Sequence, residues 1–120
     1  MYNQKKKNNI FFAMLLSEIR RIYYKNKKFT ITNLYETCNF KDVADCFMFI
    51  TDGYLLTRNK LDRWIKRLYK KKFLKRTKTL PKKKHFYFIN NNKKRKIDEL
   101  ITDLLIYKLT KTNNKDNYND

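Results

Sequence analysis

The stretch LTRNKLDRWIKRLYKKKFLKR, residues 56–76, combines many Lys and Arg side chains with regularly spaced apolar ones, and Asp62 is its single acidic residue. At about 100° per residue, one side of a helix would carry Leu61, Trp64, Ile65, Leu68 and Tyr69. The opposite side would carry Asn59, Arg63, Lys66, Arg67 and Lys70. The stretch therefore predicts an amphipathic helix that begins after a Thr57 cap and runs to about Lys72.

The net charge of +19 is concentrated in one block of this 120-residue chain. Residues 58–96 carry 18 basic side chains and 1 acidic one, whereas residues 29–57 and 97–120 are each slightly acidic. An AT-rich coding bias, which the abundance of Lys and Asn also suggests, would spread Lys more evenly. The clustering therefore indicates a polyanionic partner, for which nucleic acid is the default candidate.

The rest of the chain predicts one mostly helical domain of the α+β class. Hydrophobic residues make up 42% of the sequence, which is enough for one modest core and argues against a disordered polycation. Residues 9–25 predict an amphipathic helix with the apolar face Phe12, Leu15, Leu16, Ile19, Ile22 and Tyr23. Residues 93–111 predict a final helix with the apolar face Ile97, Leu100, Ile101, Leu104 and Leu105.

Shorter elements are predicted between the first helix and the basic helix. The segment NKKFTIT (26–32) is typical of a short extended piece, because its apolar residues alternate with polar ones. Thr32 is a candidate cap for a short helix, NLYETCNF (33–40). Residues 41–50 are compatible with another short helix, and TDG (51–53) predicts a turn in which the single glycine takes a positive φ.

Two short strands are predicted after the basic helix. FLKRT (73–77) and the aromatic HFYFIN (85–90) have the composition of β-strands, and the segment between them contains Pro81. The two strands predict a hairpin whose basic tip holds Lys78, Lys82, Lys83 and Lys84.

The order helix, short strand, helix, basic helix, hairpin, helix resembles the winged helix-turn-helix family of DNA-binding domains. The resemblance is carried by NKLDRWIKRLYKKKFLKR followed by KKKHFYFIN. It implies a winged-helix domain at 9–111 with a two-stranded wing and flanking N- and C-terminal helices. A basic arm at 1–8 and a disordered polar tail at 112–120 would complete the chain. The link at 39–56 is longer than the family's, so either an extra short helix is inserted there or the second helix is misplaced.

By this resemblance, the basic helix would enter the major groove of double-stranded DNA, and the wing would contact the backbone or the minor groove. The candidate DNA-binding residues are Arg58, Asn59, Lys60, Arg63, Lys66, Arg67, Lys70, Lys75, Arg76, Lys78, Lys82, Lys83 and Lys84. Arg can bond guanine bidentately and Asn can bond adenine, whereas Lys more often contacts phosphate. Arg63 and Arg67 are therefore the candidates for base reading. The alternative is a charged face that only meets solvent.

These observations predict a sequence-specific DNA-binding protein that regulates transcription. We expect a homodimer through the first and last helices, since Ile106 and Leu109 fall outside the main apolar face. A plasmid or viral replication or partition protein, an RNA-binding or ribosome-associated protein, and a basic protein on anionic membranes remain alternatives. We expect no membrane span and a cytoplasmic, nucleoid-associated location, or the nucleus or host cell for a eukaryotic or viral source.

No catalytic, metal or cofactor site is expected. His85 is the only histidine, and a single glycine leaves no phosphate-binding loop. Cys38 and Cys46 predict free buried thiols rather than a zinc site, which needs four clustered ligands. Trp64 could stack on bases, but its helical spacing favours the core.

Overall fold

The computed structural model describes residues 3–25, 27–38, 40–79 and 84–118, with side chains at all of these except 40, 78, 79 and 111–118. Its elements are α1 (Gln4–Ile22), α2 (Ile31–Thr37), α3 (Phe40–Thr51), α4 (Arg58–Lys70), β1 (Leu74–Thr79), β2 (Lys84–Ile89), a 3-10 turn (Asn91–Lys93) and α5 (Lys94–Tyr118). This described part is mostly helical with one two-stranded antiparallel sheet, which confirms the α+β class. None of the described helices has the length and apolarity needed to cross a membrane.

Helix α1 begins at Gln4, directly after its Asn3 cap. The predicted basic arm at 1–8 is therefore wrong for residues 4–8, which are helical. The Asn3 side chain accepts a hydrogen bond from the Lys6 backbone N–H at 2.9 Å and caps the helix. Lys7 then contacts α3 and the turn after it, with its Nζ 3.5 Å from the Asp52 carboxylate and 5.3 Å from the Phe49 ring centroid. The basic residues at this end therefore belong to the first turns of a packed helix.

Helix α1 forms the centre of the hydrophobic core. Every residue from 10 to 16 is buried, including Phe11, Ala13 and Met14, which do not belong to the predicted apolar face. The reason is that α3 and α5 both pack against α1, and the Phe11 and Phe12 rings lie 4.8 and 5.1 Å from the Trp64 ring of α4. A helix contacted from several sides loses its polar face.

The extended segment after α1 is shorter than predicted. Among its described residues only Phe29 pairs with the sheet, through an isolated antiparallel bridge to Tyr87 with N–H···O distances of 2.9 and 2.8 Å. Helix α2 already begins at Ile31, because Thr30 rather than Thr32 is its cap: the Thr30 hydroxyl accepts from the Asn33 N–H at 3.1 Å.

Helix α3 accounts for the length of the link at 39–56. It occupies Phe40–Thr51, so an extra helix lies between α2 and α4, and α2 is close to its predicted position. The predicted turn after α3 is confirmed: Gly53 has φ of 109°, and its N–H bonds the Met48 carbonyl at 2.8 Å.

The hairpin is confirmed, with β1 and β2 paired in register from Leu74↔Ile89 to Thr79↔Lys84. The predicted tip residues Lys82 and Lys83 lie outside the described residues, as does the side chain of Lys78.

Helix α5 runs to Tyr118, beyond the predicted end at residue 111, so residues 112–118 are helical rather than a disordered tail. No Gly or Pro between residues 94 and 118 interrupts it. Its apolar face is narrower than predicted, because Ile97 and Leu104 are buried whereas Leu105 is exposed.

Candidate nucleic-acid interface

Helix α4 is anchored by the apolar face that the sequence predicts. The side chains of Leu61, Ile65 and Leu68 are fully buried, and Trp64 is buried in the aromatic cluster with α1. The Thr57 hydroxyl accepts from the Lys60 N–H at 3.2 Å, which confirms the predicted cap. These contacts fix the rotation of α4 about its own axis and therefore fix which side chains face outward.

The outermost row of α4 consists of Asn59, Arg63 and Lys70. All three are exposed, and among the residues that the structure describes none of them has a hydrogen-bond or ion-pair partner. Their polar groups are therefore available to a ligand without breaking an existing contact.

Two candidate residues flank this row and already have partners. The Lys66 ammonium lies 3.2 Å from the Asp62 carboxylate, one turn earlier in the helix. The Arg67 guanidinium lies 4.2 Å from the Trp64 ring centroid and 5.2 Å from that of Phe12. Arg67 thus covers the aromatic cluster, and its guanidinium is held against these two rings. Arg63 has no such ring contact among the described residues.

The first turn of α4 is tied to neighbouring elements by its cations. Arg58 donates from Nε to the Thr32 hydroxyl of α2 at 3.2 Å, which links the two helices. Lys60 donates to the Leu55 carbonyl at 2.9 Å, and its Nζ lies 5.3 Å from the Tyr54 ring centroid. Both residues therefore have structural roles.

The hairpin continues the basic surface directly from α4. Strand β1 packs against α4, and the Arg76 guanidinium lies 4.1 Å from the Tyr69 ring centroid. Lys75 is exposed with no partner among the described residues, and Lys84 is exposed at the start of β2. The structure therefore places Arg76 against α4, and Lys75 and Lys84 at other positions of the hairpin. The side chains of Lys78, Lys82 and Lys83 lie outside the described residues.

Two apolar residues beside this surface are not among the sequence candidates. Tyr54 and Leu55, in the loop before α4, are 67% and 68% exposed. The signal for them is an apolar pair in the short segment between the turn at 51–53 and the Thr57 cap, outside the helical period of α4. With Phe47, Trp64 and Lys60, Tyr54 lines a cleft beside α4.

The two cysteines are free thiols, as the sequence predicts. Cys38 and Cys46 are half-buried rather than fully buried, and burial raises the pKa of the Cys38 thiol. Within the described ranges, no three His, Cys, Asp or Glu side chains form a group able to hold a metal ion.

Comparison with protein-family models, with curated proteins and with solved structures finds no match for this chain.

Proposed function

We propose that this protein is a sequence-specific double-stranded DNA-binding protein of the winged-helix type, acting as a transcriptional regulator. The observation that supports this most strongly is the row Asn59, Arg63 and Lys70: three exposed side chains without partners among the described residues, on a helix whose other side is locked into the core. A helix presented in this way fits the width of the B-DNA major groove.

The neighbouring elements support the winged-helix interpretation. Helix α2 packs against α4, and Phe29 pairs with Tyr87 as a third, minimal strand beside the hairpin. The hairpin would then be the wing, and α3 would be an insertion between the two helices of the helix-turn-helix. Lys75 on β1 would contact phosphate next to the groove that α4 occupies.

Duplex DNA is favoured over duplex RNA by the shape of α4. The major groove of A-form RNA is too narrow for side chains to read, so a recognition helix suits B-DNA better. A basic face alone would bind either polymer. A projecting helix with free Arg and Asn side chains can contact base edges only in a groove wide enough to admit it.

The test is a competition gel shift at physiological salt with a labelled duplex DNA and unlabelled competitors. We expect unlabelled duplex DNA to displace the label at lower concentration than structured RNA. Displacement first by structured RNA would contradict the proposal. A salt titration of the same complex should give a log–log slope of about −0.9 for each phosphate contacted.

The homodimer belongs to the same proposal and is supported by α5. Its residues Leu105, Ile106 and Leu109 are 55%, 56% and 65% exposed and lie on neighbouring turns. Large apolar side chains grouped in this way typically mark an interface. A second copy of this chain paired through α5 would place two α4 helices on one duplex, with half-sites about one helical turn apart.

A further inference from the structure

The cleft beside the N-terminal half of α4 has a volume of about 340 Å³, within the size range of sites that hold small ligands. Its lining comes from the end of α3, the following loop and α4, and consists of Phe47, Thr51, Tyr54, Lys60, Arg63 and Trp64.

The walls of the cleft are aromatic and are held at fixed angles. The Phe47 and Trp64 rings pack edge to face at 6.4 Å and 87°, and both residues are buried except where they face the cleft. Tyr54 projects from the loop and is 67% exposed, with the Lys60 ammonium 5.3 Å from its ring centroid. Such rings offer flat apolar surfaces, and stacking on an aromatic side chain is how proteins hold an unpaired base.

The charges around the cleft fit an anionic ligand. Among the described residues that line the cleft, Lys60 and Arg63 are charged and none is acidic. Arg63 is also the middle residue of the exposed row on α4. If a duplex lies against this row and one nucleotide leaves it, that nucleotide is next to the cleft. Its phosphates are then near two cations.

We propose that the cleft binds one unpaired nucleobase, stacked on Tyr54, with the adjacent phosphates bound by Lys60 and Arg63. This inference rests on the proposed DNA binding and adds a preference for duplexes that contain an unpaired nucleotide. A base that is already unpaired enters at the lowest cost, because no base pair has to be broken.

The test uses the full chain and two labelled duplexes that differ only by one bulged 2-aminopurine. We expect the bulged duplex to bind about tenfold more tightly, the size of one stacking contact, and the 2-aminopurine emission to fall on binding. Tyr54→Ala should bring the bulged duplex to the affinity of the paired one. Tyr54→Phe, which keeps the ring, should retain the preference.

Tyr24→Ala is the matched control. Tyr24 is likewise an exposed tyrosine, with the Lys27 ammonium 5.6 Å from its ring centroid, but it follows α1 and does not line the cleft. It should keep the preference for the bulge. Equal binding of the two duplexes by the unchanged protein, or a preference that survives Tyr54→Ala, would overturn the inference alone. Binding of neither duplex would overturn the proposed function and the inference with it.

Discussion

Single residues of α4 differ in how free their side chains are to contact a ligand, and the two arginines show it best. Arg63 has no partner among the described residues, whereas Arg67 stacks on Trp64 and Phe12. The helical pattern places both on the same polar side and does not distinguish them. It could not do so, because Phe12 reaches Arg67 from a helix that is distant in the chain.

Arg63→Ala and Arg67→Ala should therefore have different effects. Arg63→Ala removes a candidate base contact, so we expect the preference for the selected site over random duplex to fall by about 1–3 kcal/mol with unchanged stability. Arg67→Ala should lower the free energy of unfolding by about 0.5–1 kcal/mol and weaken binding to all sequences similarly. Fluorescence anisotropy and thermal unfolding measure the two quantities.

Lys41→Ala is the control for lost charge, since Lys41 is an exposed cation on α3, paired with Asp45. It should change neither quantity appreciably. A preference that is lost with Arg67→Ala but kept with Arg63→Ala would reverse the assignment.

Tyr87 gives a second prediction for a single residue. Its ring is 1% exposed, and its hydroxyl has no hydrogen-bond partner among the residues described. Because a buried, unsatisfied hydroxyl is destabilising, Tyr87→Phe should leave the free energy of unfolding unchanged or raise it by about 1 kcal/mol. Chemical denaturation measures this. Tyr23→Phe is the control, because the Tyr23 hydroxyl bonds that of Thr37 at 3.0 Å and its loss should be mildly destabilising. A loss of more than about 1 kcal/mol in Tyr87→Phe would contradict this interpretation.

Among the secondary-structure elements, those with strong local signals agree best with the sequence prediction. Helix α4 has segregated faces and a Thr cap, and the hairpin has aromatic strands, so both are near their predicted bounds. The start of α1 differs because Asn3 caps a helix within a basic run that is equally typical of a free arm. The polarity of the tail suggested disorder, although residues 112–118 contain no helix-breaking residue.

The Thr57 cap is the element-level feature that is simplest to test. Its hydroxyl satisfies the Lys60 N–H at the start of α4, so Thr57→Ala should lower the free energy of unfolding by about 1 kcal/mol. Thermal unfolding followed by circular dichroism measures it. Thr102→Ala, an exposed threonine inside α5, should be neutral or slightly stabilising. Equal effects of the two substitutions would show that the cap contributes nothing.

For the molecule as a whole, the sequence indicated a basic surface but not the cleft next to it. The cleft exists because Phe47 of α3 and Trp64 of α4 meet beside α1, and helical periodicity carries no information about such a meeting. The exposed row on α5 was anticipated only for Ile106 and Leu109. Leu105 joins them because α1 covers a narrower strip of α5 than the pattern suggested.

The dimer can be tested at this scale. The double substitution Ile106→Asp with Leu109→Asp should convert a dimer into a folded monomer, because both residues are exposed and charge would be buried at the α5 contact. Light scattering after size exclusion measures the mass. Leu55→Asp is the control, since Leu55 is at least as exposed as these two residues but lies in the loop before α4, and this variant should remain dimeric. A monomeric unsubstituted protein would contradict the dimer.

The most direct measurement of what α4 does is selection of bound sequences from a random duplex pool, at physiological salt, with the unchanged protein and with Arg63→Ala. We expect the unchanged protein to enrich a defined site, with half-sites about one helical turn apart if it is a dimer. Arg63→Ala should lose the enrichment at one base pair of each half-site while still retaining duplex DNA. A pool that stays random with the unchanged protein would contradict the claim that the outer row of α4 reads DNA sequence.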